Sequence, residues 1–456
     1  MKFSVLDPTE EKIRETLLND PLGRFQELSQ FVELLNSIED SCTIALDGDW
    51  GSGKTFFIKQ VQMIIDAYNG KLDKTYATNI QEKFGDINRV SQITVYYDAW
   101  ENDGEADPLL SILYEIITTF DYDIKNFSRN DASQIPMTLL KSISEMLTTK
   151  FFGVSSKDTI EKLSSTNPFD QIRNNKDLKE KISTFLQEVK IERGNKLIIF
   201  VDELDRCNPT YAVKTLERIK HYFSSPDIIF VLAVNLSELQ NTIKQYYGNS
   251  FNAYQYLDRF FDLRLDLNSI DINRFINTQK LWPNSENKME VCLAADKIIA
   301  KFFHFSMRTI DRYFKQVKFI QQNIINELVI YVSYEQSNAY YFLGTYVAPI
   351  LVALKLHSIN EYKEFVSGNS LDLFIEIFDK YHSDKSTKYD FNTYFKLSTT
   401  GDLQSYKANC KSIYNYIFTN ITRAPIIQIN DYSFTSPMIS SFFAKMRMLS
   451  PFSNFE

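Results

Sequence analysis

Eight residues, Gly48-Asp49-Trp50-Gly51-Ser52-Gly53-Lys54-Thr55, constrain this chain more than any other stretch. The apolar run Thr43-Ile44-Ala45-Leu46 precedes them and reads as a buried strand, and residues 56–68 follow with the spacing of an amphipathic helix. Between such elements the pattern G-x-x-x-x-G-K-[ST] is a phosphate-binding loop. Glycines 48, 51 and 53 let the backbone turn tightly and aim its N–H groups at one point. The helix starting there adds unpaired N–H groups and the positive end of its dipole. Lys54 is expected to meet the β- and γ-phosphates, and the Thr55 hydroxyl to hold Mg2+. The expected nucleotide-binding segment therefore comprises Gly48, Asp49, Trp50, Gly51, Ser52, Gly53, Lys54, Thr55 and Phe56. With no phosphate present, Lys54 is expected to face solvent.

At 456 residues the chain has room for two or three domains of about 150 residues, each with a core of its own. Gly (13) and Pro (12) are sparse beside Phe (36) and Tyr (26), which favours long helices over loops. The net charge is −8 and no run of Lys and Arg forms a basic stripe. Phosphate neutralisation supplies most non-specific affinity for duplexes, so nucleic acid is not indicated as a partner, although a local basic groove stays compatible with this charge. Cys42, Cys207, Cys292 and Cys410 form no CxxC pair, and with four His no zinc spacing exists. Scattered thiols suit a reducing cytoplasm, and no signal-peptide pattern is visible. The longest uncharged run, residues 336–354, is broken by polar side chains and a little short for a span of about 20 residues. It reads as a buried helix, so a cytoplasmic protein without membrane contact is expected.

Further strands are expected at Ile93-Thr94-Val95-Tyr96-Tyr97, at Leu197-Ile198-Ile199-Phe200-Val201 and at residues 228–234. Continuous apolar runs of this kind are central parallel strands covered on both faces. Residues 261–267 alternate with period two, as a strand with one wet face does. Helical patterns separate these runs, one of them opened by the cap Asn208-Pro209. The fold class is therefore α/β: a parallel sheet of about five strands sandwiched by helices, with ligands at the strands' carboxyl ends. Beyond about residue 270 strand patterns cease, and a C-terminal all-helical domain is expected. The expected organisation is an N-terminal helical segment (1–40), the sheet core (41–270) and the helical domain (271–456). A helical insertion at about 105–190 reads as decoration of the core, above all over residues 122–176.

The third strand ends on Asp202-Glu203, the acidic partner that a phosphate loop requires. Asp202 is expected to hold Mg2+ with Thr55, and Glu203 to orient and deprotonate an attacking water. Two carboxylates at a strand end are otherwise a solvated loop. Asn235, at the tip of the fourth strand, is placed to position that water, or is a turn-forming residue. Arg206, Arg259 and Arg308 follow predicted elements. Each is a candidate for stabilising transition-state charge, in its own subunit or a neighbour's, or else a surface salt-bridge partner. The Arg259 case includes Phe260-Phe261, which suits either an interface or the core.

These motifs together resemble the KAP family of P-loop NTPases. Asp20-Pro21-Leu22-Gly23-Arg24 is similar to the family's N-terminal element, and GDWGSGKT to its G-x-W-G-S-G-K-[ST] loop, which accounts for Trp50. YYDAWENDGEADPLL, VDELDRCNP, YLDRFFDLRLDL and SMRTIDRYF resemble its later motifs in the right order, across residues 18–320. Two departures stand out: Asn235 where Asp is frequent, and Ser306-Met307 where Asn-Pro precedes the family's arginine, here Arg308. Many members insert transmembrane helices between loop and acidic strand, whereas residues 105–190 hold no run long enough to span. The resemblance implies catalytic Lys54, Glu203, Asn235, Arg259 and Arg308, the cofactors ATP and Mg2+, a homo-oligomer, and a separate effector protein. It implies an ATPase that drives or gates a conformational change, of the kind found in prokaryotic anti-phage defence or exclusion systems. A slow ATP-bound switch or scaffold is the alternative; a small-molecule phosphotransferase fits less well, because Glu203 suits water as acceptor. Asn235-Leu236-Ser237-Glu238 is no guanine signature, which favours adenine.

Overall fold

A computed structural model describes residues 8–87, 91–105, 107–120, 168–268, 272–278, 287–327, 333–388, 403–419, 426–429 and 432–448. These fall into two compact units, one within residues 7–269 and the other within 270–456.

The first unit runs α1 (Glu10–Asn19), α2 (Phe25–Ser37), β1 (Cys42–Asp47), α3 (Lys54–Tyr68), α4 (Lys74–Phe84) and β2 (Gln92–Asp98). It continues with α5 (Pro108–Thr119), α6 (Pro168–Arg193), β3 (Lys196–Asp202), a 3-10 turn (Leu204–Arg206) and α7 (Pro209–Tyr222). β4 (Ile228–Val234), α8 (Leu236–Tyr247), α9 (Ala253–Leu257) and β5 (Leu263–Asp266) complete it. The five strands form one sheet in the order β2-β3-β4-β1-β5, and every neighbouring pair is parallel. β4 therefore separates the loop strand β1 from the acidic strand β3.

Successive strand residues point to opposite faces, and here both faces are covered. Val95, Ile199, Val201, Phe230 and Leu232 pack with Leu109 and Ile112 of α5, Leu178 and Phe185 of α6, and Leu216 of α7. Their neighbours Ile44, Ile198, Phe200, Ile229 and Val231 pack with Leu17 of α1, Val32 of α2, Phe57 and Val61 of α3 and Ile80 of α4. This explains why β3 and β4 are buried along their whole length. The N-terminal helices thus form part of this sandwich. So do α5 and the described side chains of α6, both of which fall within the region 105–190 expected as an insertion; residues 121–167 lie outside the described residues.

The second unit is helical as expected, with one addition. Ile426–Ile429 and Tyr432–Thr435 pair antiparallel as a two-stranded ribbon within the domain expected to be all-helical. Tyr334–His357 is long and apolar enough to cross a membrane, with mean hydropathy 1.4, and 89% of its most apolar window is buried inside the protein. It holds a π-helical turn at Leu343–Val347, where a Cβ on Gly344 would come 2.9 Å from Ile324 Cγ2. The close approach of the helix containing Ile324 explains the glycine.

Candidate functional site

β1 delivers the loop to the carboxyl edge of the sheet. Gly48 N donates to the Val234 carbonyl at 3.2 Å, and Leu236 N donates to Asp47 Oδ1 at 2.9 Å, tying the loop to the end of β4. Gly51 and Gly53 have φ of 82° and 91°, left-handed values that favour glycine. Helix α3 then begins at Lys54, and the N–H groups of its first turn have no partner within the helix. Lys54 is not solvent-facing: it is 8% exposed, and its Nζ donates to the carbonyls of Gly48 at 2.5 Å and Asp49 at 3.2 Å. The short, carbonyl-lined turn folds the side chain back over its own loop. Burial lowers its pKa, opposed by Asp205, Asp202, Asp47 and Glu203. Asp49 is exposed, and Phe56 packs partly buried against the core.

The acidic strand faces this loop. Asp202, 2% exposed, accepts from the Tyr96 hydroxyl at 3.1 Å and from the Glu203 N–H at 3.0 Å, and is hydrogen-bonded to the Thr55 side chain. Burial raises its pKa. Glu203 lies in the left-handed region, φ 61°, a conformation non-glycine residues hold only where their surroundings fix them. It pairs with Arg206, whose guanidinium lies 5.5 Å from the ring centroid of Trp100. Burial pushes the Glu203 carboxyl up to about 7, against the pull of Arg206 and with help from Asp202, Asp205 and Asp98.

Asn235 uses its Oδ1 to cap α8, accepting from Ser237 N at 3.1 Å and Glu238 N at 3.2 Å. The turn-forming role is therefore real, and the Nδ2 end remains as its donor towards a water or phosphate. Trp50, placed by no phosphate chemistry, donates from Nε1 to Asp205 Oδ2 at 2.6 Å and ties the loop to the turn after β3. Arg24, 5% exposed, donates to the Ser52 carbonyl at 3.1 Å on the loop's other flank. Tyr96, Asp205 and Arg24 lie within motifs that carry the resemblance, but none of them is among the expected site residues, because each acts through a partner distant in sequence.

The remaining arginines divide. Arg206 belongs to the cluster, as the partner of Glu203. Arg259 is exposed, and no ion pair is recorded for it among the described residues. It precedes β5, whose first residue, Leu263, lies level with Ile44 near the start of β1, so the chain enters β5 at the edge opposite the phosphate loop. Phe261 is buried in the core and Phe260 packs partly against it. Arg308, exposed near the start of the helix Met307–Glu327, belongs to the second unit.

Thr55 and Asp202, in contact with each other, fit a Mg2+ held by one hydroxyl, one carboxylate and phosphate oxygens. Among the described residues no three His, Cys, Asp or Glu form a metal cage. A strand–loop–helix, an acidic strand one position removed and a capping Asn on the strand between them are the parts of a nucleoside triphosphate site. No curated protein matches the chain. The profile described as "KAP family P-loop domain" matches residues 25–324, well over half the chain, and the protein belongs to that family of P-loop NTPases.

Proposed function

We propose that the chain is an ATPase that hydrolyses ATP with Mg2+ and uses the reaction to drive or gate a conformational change. The observation that carries this is the geometry of the strand end, with Asp202 bonded to Thr55 and Glu203 beside it, its carboxyl raised by burial. A carboxylate next to the metal-binding residue is placed to take a proton from water, and no acceptor other than water is needed. Lys54 leaves the Gly48 and Asp49 carbonyls to meet the β- and γ-phosphates, while the Asn235 amide orients the water. Mg2+, when bound, neutralises phosphate charge that develops in the transfer. By family resemblance we place the ATPase in a cytoplasmic prokaryotic anti-phage defence or exclusion system, beside a separate effector protein.

One observation favours the slower reading, an ATP-bound switch or scaffold. The ion pair with Arg206 occupies the carboxylate of the proposed base, so hydrolysis waits for that pair to open. Replacement Glu203→Gln separates the possibilities. ATP binding is expected to persist while turnover falls roughly 10²- to 10⁴-fold, the usual contribution of a general base. A wild-type kcat far below the ~1 s⁻¹ low end of typical enzymes marks the switch. Glu203→Gln turning over at the wild-type rate removes Glu203 from the chemistry.

We infer that Arg259 serves a second copy of the chain, because it is exposed, unpaired among the described residues and enters the sheet from the edge away from its own loop. Arg259→Ala is expected to bind ATP and to lose roughly 10³- to 10⁵-fold in rate, the range for a trans arginine. Hydrolysis per subunit that stays constant down to monomeric concentrations would sink this assembly.

A further inference from the structure

Asn268, at the end of the described part of the nucleotide unit, is held by the start of α2. Glu27 Oε1 accepts from the Asn268 N–H at 3.1 Å, and Arg24 Nη2 donates to the Asn268 carbonyl, also at 3.1 Å. Two side chains less than one helical turn apart thus take up both backbone polar groups of a single residue. Asn268 follows β5 closely, and the unit ends just beyond it, within residue 269. The same Nη2 donates to the Ser52 carbonyl of the phosphate loop at 3.1 Å. One guanidinium nitrogen therefore touches both the loop that closes on phosphate and the peptide where the chain departs.

The two places are also in direct contact. Leu267 N donates to the Asp47 carbonyl at 2.8 Å, and a Cβ on Gly48 would stand 3.6 Å from Leu267 Cβ. Arg24 is desolvated enough that its pKa falls to about 10, with Glu27 opposing. Its Nε has no hydrogen-bond partner; the nearest carboxylate oxygen, Glu27 Oε2, stands at 3.7 Å. Burying a guanidinium with so few bonds is costly, and an apolar side chain beside Phe57 would fill the same space. What the arginine provides that an apolar residue does not is the bridge between Ser52 and Asn268.

We propose that Arg24 is a positioning residue that couples the phosphate loop to the chain exit at Asn268, with Glu27 fixing the other half of that peptide. The coupling rests on the nucleotide reading above. Phosphate draws Lys54 off the Gly48 and Asp49 carbonyls, and the loop peptides turn their N–H groups inward. The Ser52 carbonyl moves with them, Arg24 is left to Asn268, and the Asn268 peptide is held differently in the two states.

Hydrogen–deuterium exchange on the full chain, with and without Mg2+ and ATPγS, tests this through peptides covering residues 48–58 and 264–278. Both are expected to slow in the wild type. Glu27→Ala removes an acceptor from a partly exposed side chain whose bonds run to Asn268 and Arg24 and not to the phosphate loop. It is expected to keep the response at 48–58 and to cut the response at 264–278 about tenfold, the worth of one hydrogen bond to a charged group. Arg24→Met is expected to abolish the response at 264–278 while 48–58 still responds at raised ATPγS; should that variant not fold, Glu27→Ala decides. An unchanged response at 264–278 in Glu27→Ala, or none there in the wild type while 48–58 responds, overturns the coupling. No response at 48–58 in the wild type overturns the nucleotide reading and the coupling with it, and that pattern is distinct from the others.

Discussion

Both units of this molecule hold a buried aspartate, and the two sit in different kinds of place. Asp202, at 2% exposure, sits at a strand end with Tyr96, Thr55 and the Glu203 N–H around it, and the acids and Lys54 of the phosphate loop close by. Asp296, at 1%, sits inside the helical unit and accepts from Gln321 Nε2 at 3.0 Å, with Tyr313 and Tyr381 nearby. Burial raises both carboxyls. The first stands where a cation would restore its charge; the second has only an amide opposing its neutralisation. Burial of an acid is therefore not by itself a sign of chemistry. The surroundings decide, and they predict opposite behaviour for the two units: function without much stability at stake in one, stability without function in the other.

The largest effect that sharpens this contrast belongs to Lys54→Ala. Hydrolysis is expected to fall by at least about 10³, because the charge meeting the β- and γ-phosphates is gone. The hydrogen bonds to the Gly48 and Asp49 carbonyls are lost as well, at a net cost of about 1 kcal/mol. Melting of the unit is expected to move by only about 2–4 °C. Wild-type hydrolysis in this variant would break the contrast and the nucleotide assignment together.

A smaller effect belongs to Trp50→Phe, which keeps an aromatic ring and deletes the donor to Asp205. Asp205, 6% exposed, then loses its bond to the loop. Nucleotide affinity is expected to drop about tenfold, as for one hydrogen bond to a charged group. Isothermal titration with ADP measures it. Unchanged affinity with lowered melting would make the clasp purely structural.

The loop, the acidic strand and the alternation of helix and strand were legible because each is coded locally. Glycines 51 and 53 occupy left-handed positions that few other residues accept, and β3 is apolar at successive positions because both faces are covered. The strand order, with β4 between β1 and β3, is not coded locally, since no residue states which neighbour a strand will choose. Contacts that span the chain stayed hidden: Trp50 meets Asp205, and Arg24 meets Asn268, through side chains whose types fit many other roles. Lys54 was misjudged for a related reason. A lysine among exposed glycines reads as solvated, but a tight turn presents carbonyls that an ammonium folds back onto. The antiparallel ribbon near the C-terminus was missed because its two strands, Ile426–Ile429 and Tyr432–Thr435, are too short to show a period.

The smallest expected effect is on stability alone, and it tests the other half of the contrast. Asp296→Asn keeps the shape of the neutral acid and still offers Gln321 Nε2 an oxygen. In the wild type the folded carboxyl titrates well above 3.8, its ordinary value, while the unfolded one titrates near it. The folded state thus gains from protonation, and that contribution is complete below the unfolded pKa. As pH rises past about 4, the unfolded chain ionises and the folded one does not, so wild-type stability declines until the folded pKa is reached. Asparagine has no proton to lose and escapes the decline. Melting of Asp296→Asn is therefore expected to match the wild type near pH 3–4 and to exceed it by about 2–4 °C at pH 7–8, with ATP hydrolysis unchanged. Tyr313 and Tyr381, the titratable groups that face Asp296, stay neutral throughout this range because burial raises both. Lower melting at pH 7, or lost hydrolysis, would show that the buried charge is used and that the helical unit holds chemistry of its own.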